Sequence, residues 1–448
     1  MLRRPGEYDE PQTKRLWTKI EARIWTVILF SGTSVLYASR VAFPISAAAI
    51  AKEYFWNKTD SGTVLSCFFW GYALTQLFAG WIADVYGGEN VLPVSSLCWI
   101  ILTFFTPQLF QFAYWSGYPL LVLLLIRIFT GVAQAFHIPS MASMVARHLS
   151  AGTDKGRVFG IILAGSHCGT VLAGSFGSLL LDQVGWRTMF HFIGVLSLLW
   201  YWCLHFVLTR SNYRQQISPS TSEADLLKKV KSDATSYSIP GITIASATVP
   251  WKALFQHPAF WAAAVAQYAG GNAYYTMFSW LPSYFHDTFP KAQGIVYNVV
   301  PNVSILITSI LAPLVATRLL NSGRSMTTTR KLMEGISLLG VALCLFAVPY
   351  TASFTSALSL FTLAMACRGL HHGGVSVNPH DFAPHHTGAV FGIFNACGSI
   401  TGFIGVYIAG HILDATNNNW SCVFAITGVQ CIIGAVVYGL YGTGSKII

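Results

Sequence analysis

Charge is what this sequence has least of. Only 10% of its 448 residues are Asp, Glu, Lys or Arg, and 53% are hydrophobic; a soluble domain carries roughly 25% charged residues. A chain so poor in charge cannot cover a water-facing surface, which excludes an ordinary soluble globular protein. The solvent it suits is lipid. Apolar stretches of about 20 residues recur along it, the length that crosses a hydrocarbon core of roughly 30 Å.

Other absences narrow the function. The nine cysteines include no C-x-x-C pair, and Cys67, Cys98, Cys168 and Cys344 fall inside apolar runs, so they read as core thiols and not as metal ligands or a disulfide framework. No phosphate loop, nucleophile–base set or metal cluster is present, which argues against an enzyme and against a resident cofactor. The net charge of +10 would suit nucleic acid, but the basic residues sit in short loops and no Lys/Arg block is interleaved with aromatics, which excludes that partner. The first 23 residues are polar, too long and too acidic a stretch for a signal peptide, so the first apolar run is expected to persist as a helix.

What is there is a series of spans near residues 24–47, 61–82, 91–112, 119–143, 158–180 and 188–208, then 259–281, 297–317, 331–349, 353–376, 388–411 and 422–442. The expected class is an all-α membrane protein of about twelve transmembrane helices. A Ser-, Thr- and Lys-rich stretch divides them. The organisation read from this is a tail at 1–23, a six-helix half at 24–208, a linker at 209–258, a second half at 259–442 and a tail at 443–448. Such a duplication is expected of a transporter.

Of the 27 Lys and Arg residues, about 20 fall on the side that holds both termini and the linker, and only Lys52, Lys58, Arg187 and Lys291 face the other. That side is therefore expected to be cytosolic. The sequons at Asn57 and Asn419 fall in loops on the opposite side, where glycosylation occurs. A third, at Asn302, lies within a span.

Three arginines remain, Arg40, Arg127 and Arg368, each inside an apolar run. A central Arg costs about 2.5–3.5 kcal/mol on insertion scales, so such a residue is a functional-site candidate by default. Snorkelling or pairing with a helix end is the structural alternative. Arg40 lies near the end of an outward span and Arg127 near the start of an inward one, which puts them at similar depth. A planar guanidinium grips carboxylate or phosphate oxygens in pairs, so together they suit an anion.

Carboxylates are missing from the same depth: of the 17 Asp and Glu residues none is placed deep in a span, with Asp84 and Glu334 at span ends. A cation-coupled carrier usually needs one there, so the pattern favours electrical drive of an anion. His137, His167, His371 and His372 lie in or near spans and are alternative proton carriers or helix-end residues. The seventh span is aromatic, with Tyr268, Tyr274, Tyr275, Phe278 and Trp280. Asn272, Tyr275 and Ser279 are spaced to share a face there.

These residues resemble the major facilitator superfamily. Gly80-Trp-Ile-Ala-Asp84-Val-Tyr-Gly87 looks like its gating-loop motif, with Gly80, Asp84 and Gly87 in place and the usual basic residues replaced by Gly88, Glu89 and Asn90. Gly185-Trp186-Arg187 fits too. The resemblance implies a fold in which the first, fourth, seventh and tenth helices line a central cavity. Within the superfamily nearly the whole chain is similar to the solute carrier family of vesicular glutamate, sialic acid and nucleotide transporters and type I phosphate carriers. The matching segments are Phe68-Phe-Trp-Gly-Tyr-Ala-Leu-Thr-Gln76, Arg127-Ile-Phe-Thr-Gly131 with Pro139, Pro250-Trp-Lys252, Thr329-Arg-Lys331 and Asn378-Pro-His-Asp-Phe-Ala-Pro384. Trp56-Asn-Lys, Gly87-Gly-Glu89, Ser279-Trp-Leu-Pro282 and Asn298-Val-Val-Pro301 look most like the nucleotide-carrying members.

The resemblance implies substrate-binding roles for Arg40 and Arg127; Arg368, Gln134, Tyr275, Asn272 and His372 are further candidates. Where proton- and glutamate-handling relatives have a Glu, this chain has Gln134. Their second-span His and seventh-span Arg map to Leu65 and about Gly270, which weakens glutamate and sialate as substrates. The function implied is loading of ATP, ADP, GTP and similar nucleotide anions into secretory vesicles or lysosomes. A vacuolar proton pump would supply the potential and chloride would activate. Another organic anion, phosphate, or an anion channel built on the same arginines stays open as an alternative.

Overall fold

The computed structural model describes residues 16–149, 155–217, 250–383 and 387–448. Among these residues every regular element is helical. Several helices begin where a short polar side chain can pair amides that the helix leaves unbonded. At the first span, Lys19–Tyr54, the Thr18 hydroxyl accepts from the Glu21 amide at 3.3 Å and the Glu21 carboxylate accepts from the Thr18 amide at 2.9 Å. Asn57 and Asp60 open the second, Lys58–Tyr86, in the same reciprocal way. Ser325, Ser353 and Asn419 cap the ninth, Met326–Ala347, the tenth, Phe354–Gly369, and the twelfth, Trp420–Tyr441. Both expected glycosylation asparagines are thus exposed helix caps; the third sequon residue, Asn302, bonds the Asn298 carbonyl inside the eighth span, Gly294–Asn321.

Prolines and glycines set the interruptions. The third span is two helices, Gly88–Phe104 and Thr106–Trp115, bent by 63° next to Pro107. The fourth breaks at Phe136 between Pro119–Ala135 and His137–His148, because Pro139 has no N–H to return to Ala135 and crowds its carbonyl. Gly87 and Gly185, at φ +87° and +92°, make the sharp turns into the third and sixth spans, a backbone that a Cβ would strain. The fifth span runs Lys155–Leu172, a π turn at Ala173–Gly177, and Ser178–Val184. The sixth is Trp186–Ile217, the seventh Pro258–Thr288 and the eleventh Thr387–Ala415.

Eight of the described helices are long and apolar enough to cross a bilayer, or nine with the bent third span counted as one. The second, seventh and tenth fall outside that group: the second and seventh carry more polar residues, and the α-helix of the tenth, Phe354–Gly369, has only 16 residues. The seventh buries Asn272, Thr276, Ser279 and Ser283. Continuous helix to residue 376 was expected of the tenth span, and the structure differs. The α-helix stops at Gly369, tight turns follow at Leu370–Gly373 and Val375–Val377, and Asn378–Phe382 resumes as a short helix. The Gly373–Gly374 pair and Pro379 account for this.

The second span packs on the fourth and eleventh, the first on the fifth and seventh, and the eighth on the fifth and tenth. Large apolar side chains such as Leu343, Leu440, Trp202 and Phe206 stand exposed on the outside, as lipid-facing residues must. The N-terminal tail lies outside the described residues up to residue 15, and the polar linker outside them from 218 to 249; the sixth helix continues to Ile217 and a short helix, Trp251–Gln256, precedes the seventh span.

Candidate functional site

Arg40 and Arg127 leave different helices and meet at one ring. The Arg40 guanidinium carbon lies 5.0 Å from the centre of Phe68, and that of Arg127 lies 5.2 Å from it. Arg40 also lies 4.6 Å from the rings of both Tyr37 and Tyr72, and Arg127 lies 4.3 Å from Phe43. Both are buried, at 4% and 8% exposure. Aromatic faces carry negative quadrupole density and hold a cation without neutralising it. Among the described residues no carboxylate pairs with either.

Their hydrogen bonds orient them and leave capacity over. Arg40 donates Nε–H to Gln134 Oε1 at 3.2 Å, and Gln134 donates in turn to Ser39 Oγ at 3.1 Å. Arg127 donates Nε–H to the Val64 carbonyl at 3.5 Å. Nη2 of Arg40 is buried with no partner, a donor available to a solute oxygen. Gln134 is thus a spacer that fixes Arg40 and adds no charge.

Arg368 stands on the tenth span, at 7% exposure, and donates Nε–H to the Gly270 carbonyl at 2.9 Å. A Cβ at position 270 would come within 2.9 Å of its guanidinium carbon. Gly270, having no side chain, therefore makes room for Arg368. Arg368 Nη1 is also buried and unpartnered. Tyr274 and Tyr275, half-buried, lie within electrostatic reach of Arg368, and Tyr275 reaches Arg40 as well. Tyr275 stands edge-on to Phe69, 4.8 Å between centres, so it joins the two sides of the site.

Not every candidate faces this space. Asn272 donates to Gln430 at 2.6 Å, and its Oδ1 sits where a side chain on Gly405 would have to go. The shared face expected for Asn272 and Tyr275 is not formed, and Asn272 belongs to the seam between the seventh, eleventh and twelfth spans. His372 is exposed and within electrostatic reach of Arg368 and His167. Of the gating motif, Gly87 makes its turn, Gly80 has open space around it, and the Asp84 side chain lies outside the described residues.

Two features escaped the sequence. Phe68 was visible only as part of a motif. Glu334, expected at a span end, is completely buried in the ninth helix and bonds His371 Nδ1 at 2.8 Å. That corrects the expectation of no carboxylate within the spans: polar Met326–Lys331 extends the ninth helix outward and carries Glu334 inside.

The family model described as Major Facilitator Superfamily matches residues 28–406. The chain is 33% identical over 431 residues to the human Voltage-gated purine nucleotide uniporter SLC17A9, spanning 96% of this chain and 94% of that protein. It is 28% identical to the Arabidopsis thaliana Sodium-dependent phosphate transport protein 1, chloroplastic, across 98% of this chain and 83% of the other. A bacterial homolog of the human lysosomal transporter Spinster shares the fold with a TM-score of 0.73, at 16% identity, over 95% of this chain and 98% of that one. The chain is therefore a membrane transporter of the major facilitator superfamily, and within it belongs to the solute carrier family of the purine nucleotide uniporter.

Proposed function

We propose that the protein carries ATP and other purine nucleotides into secretory vesicles or lysosomes by alternating access, drawn by a lumen-positive potential. The observation that carries this reading is the pair of buried arginines on Phe68 with no facing carboxylate. Phosphate oxygens pair with the free guanidinium donors of Arg40 and Arg127. Arg368 adds positive field from the other half, and Tyr275 offers a ring to the planar base. The name of the relative, a voltage-gated purine nucleotide uniporter, supports the same solute class.

The energetics suffice without an ion partner. Each charge crossing 100 mV gains about 2.3 kcal/mol, so a solute with about four negative charges gains roughly 9 kcal/mol. The halves at 24–208 and 259–442 rock about the site. At the ends remote from the N-terminus they are joined by Lys58–Asp287 at 2.5 Å, Thr59 donating to Asp414 at 2.9 Å, and Asn298 donating to Ser178 at 2.9 Å, and these contacts separate when the site opens there. A vacuolar proton pump supplies the potential, chloride serves as activating ion, and glycans occupy Asn57 and Asn419. Both termini are cytosolic.

Competition in proteoliposomes tests the solute. ATP, ADP and GTP should displace labelled ATP, while glutamate, sialate and phosphate should not. Equal displacement by phosphate or an organic anion replaces the nucleotide reading with the broader anion carrier. Single-channel currents that do not saturate would replace it with a channel.

A further inference from the structure

Where the tenth span leaves the α-helical path, the ninth holds it with charge. Glu334, at 0% exposure, takes His371 Nδ1 at 2.8 and 3.1 Å on its two oxygens and the Val375 amide at 3.0 Å. Gly374 lies between, and a Cβ there would meet the Glu334 carboxylate at 2.6 Å. One helical turn earlier, Arg330 donates to Asp381 at 2.8 Å and to the Gly373 carbonyl at 3.0 Å. The broken segment is therefore fixed on both sides, and it holds Arg368 and His372 in place.

An ionised carboxylate can only accept, so Nδ1 of His371 carries its hydrogen and Nε2 presents the lone pair. A proton added at Nε2 makes an imidazolium whose charge Glu334 meets directly. Arg368, within electrostatic reach of both, opposes it. An anion drawn to Arg368 offsets that opposition. Binding of the anion and binding of the proton must then help one another equally.

We propose that the Glu334–His371 pair is a proton-binding site linked to anion occupancy at Arg368, a refinement that rests on the anion-carrier reading. The route from water runs through His372, an exposed residue whose ring lies 5.9 Å from that of His371. The other groups around the pair are few. Arg330 is engaged by Asp381, and Tyr438 and Cys431 approach Glu334 from the twelfth span. His167 approaches His372 from the fifth, and the eighth span presents Thr308 and Ser309 beside Gly369.

The test is proton uptake by purified full-length protein in weakly buffered detergent solution on adding ATP, with inorganic phosphate as a separate arm that elicits it only if the site accepts anions more broadly than nucleotides. The wild type should take up protons between about pH 5 and pH 8, the range in which a histidine changes charge. Its KM for ATP uptake, at equal pH on both sides, should fall about fivefold or more on acidification. His371→Asn keeps a donor for Glu334 and should abolish both effects while still transporting; Glu334→Gln, which still accepts from Val375, should do the same if His371→Asn fails to fold. Proton uptake that is absent from the wild type, or unchanged in the variants, overturns the proposal. Loss of ATP uptake under an imposed potential, with proton uptake on phosphate intact, would instead count against the nucleotide reading alone.

Discussion

Arg40 and Arg127 are held on a single aromatic ring, that of Phe68, at 5.0 and 5.2 Å. Two like charges in a protein interior repel strongly, so something must keep them there without cancelling the field an anion needs. The ring does that, and it fixes their spacing. Phe68→Leu keeps an apolar, somewhat smaller side chain and removes the quadrupole, worth about 2 kcal/mol for a desolvated cation. We expect the KM for ATP to rise about tenfold, with Phe68→Tyr close to wild type, as read from initial uptake rates at matched expression.

Gln134 tests whether the absence of a carboxylate matters. Gln134→Glu would put a negative charge 3.2 Å from Arg40 Nε, where the amide oxygen now sits. A buried Arg–carboxylate bond is stronger than a neutral one, so Arg40 would be claimed. Uptake of ATP should fall about tenfold or more, while Gln134→Ala, which only removes the amide that bridges Arg40 and Ser39, should cost less. A Glu variant with normal uptake would show that Arg40 does not meet the solute.

The space at Gly270 can be probed sterically. Gly270→Ala places a methyl group 2.9 Å from the Arg368 guanidinium carbon, closer than such contacts tolerate. Arg368 must shift, and uptake should drop several-fold with little loss of folded protein. Gly335→Ala, on the neighbouring ninth helix with nothing within 4 Å, is the control and should be silent.

Much of this was legible because charge in lipid is costly. Arg40, Arg127 and Arg368 stood out in the sequence since few other roles justify them there. What stayed hidden depends on pairing across sequence distance or on helix phase. Glu334 and His371 are 37 residues apart, and no linear pattern announces their contact. Asn272 and Tyr275, three residues apart, differ by about 60° around the helix axis, enough for one to face Gln430 and the other Phe69. Phe68 was present in a motif, but a phenylalanine in a membrane span is usually packing, and only its two neighbours reveal its use. The tenth span's break was foreshadowed by Gly373, Gly374 and Pro379, whose local cost an apolar count overlooks.

The gate offers a further check. Lys58 and Asp287 join the start of the second span to the end of the seventh, and Lys58 also lies 5.5 Å from the Trp420 ring. Asp287→Asn removes the pairing and should shift the carrier toward the state open at that end. A cysteine placed at Ser283, which with Lys58 lines a cavity of about 230 Å³, should then react faster with a membrane-impermeant thiol reagent from that side, by several-fold.

The most direct measurement is uptake of labelled ATP by purified protein in liposomes under an imposed inside-positive potential, with no pH gradient. A carrier driven by charge on the solute concentrates ATP in proportion to the potential, and Arg127→Gln, expressed and folded, does not. Accumulation that ignores the potential and needs a pH gradient, or that survives in Arg127→Gln, would contradict the account.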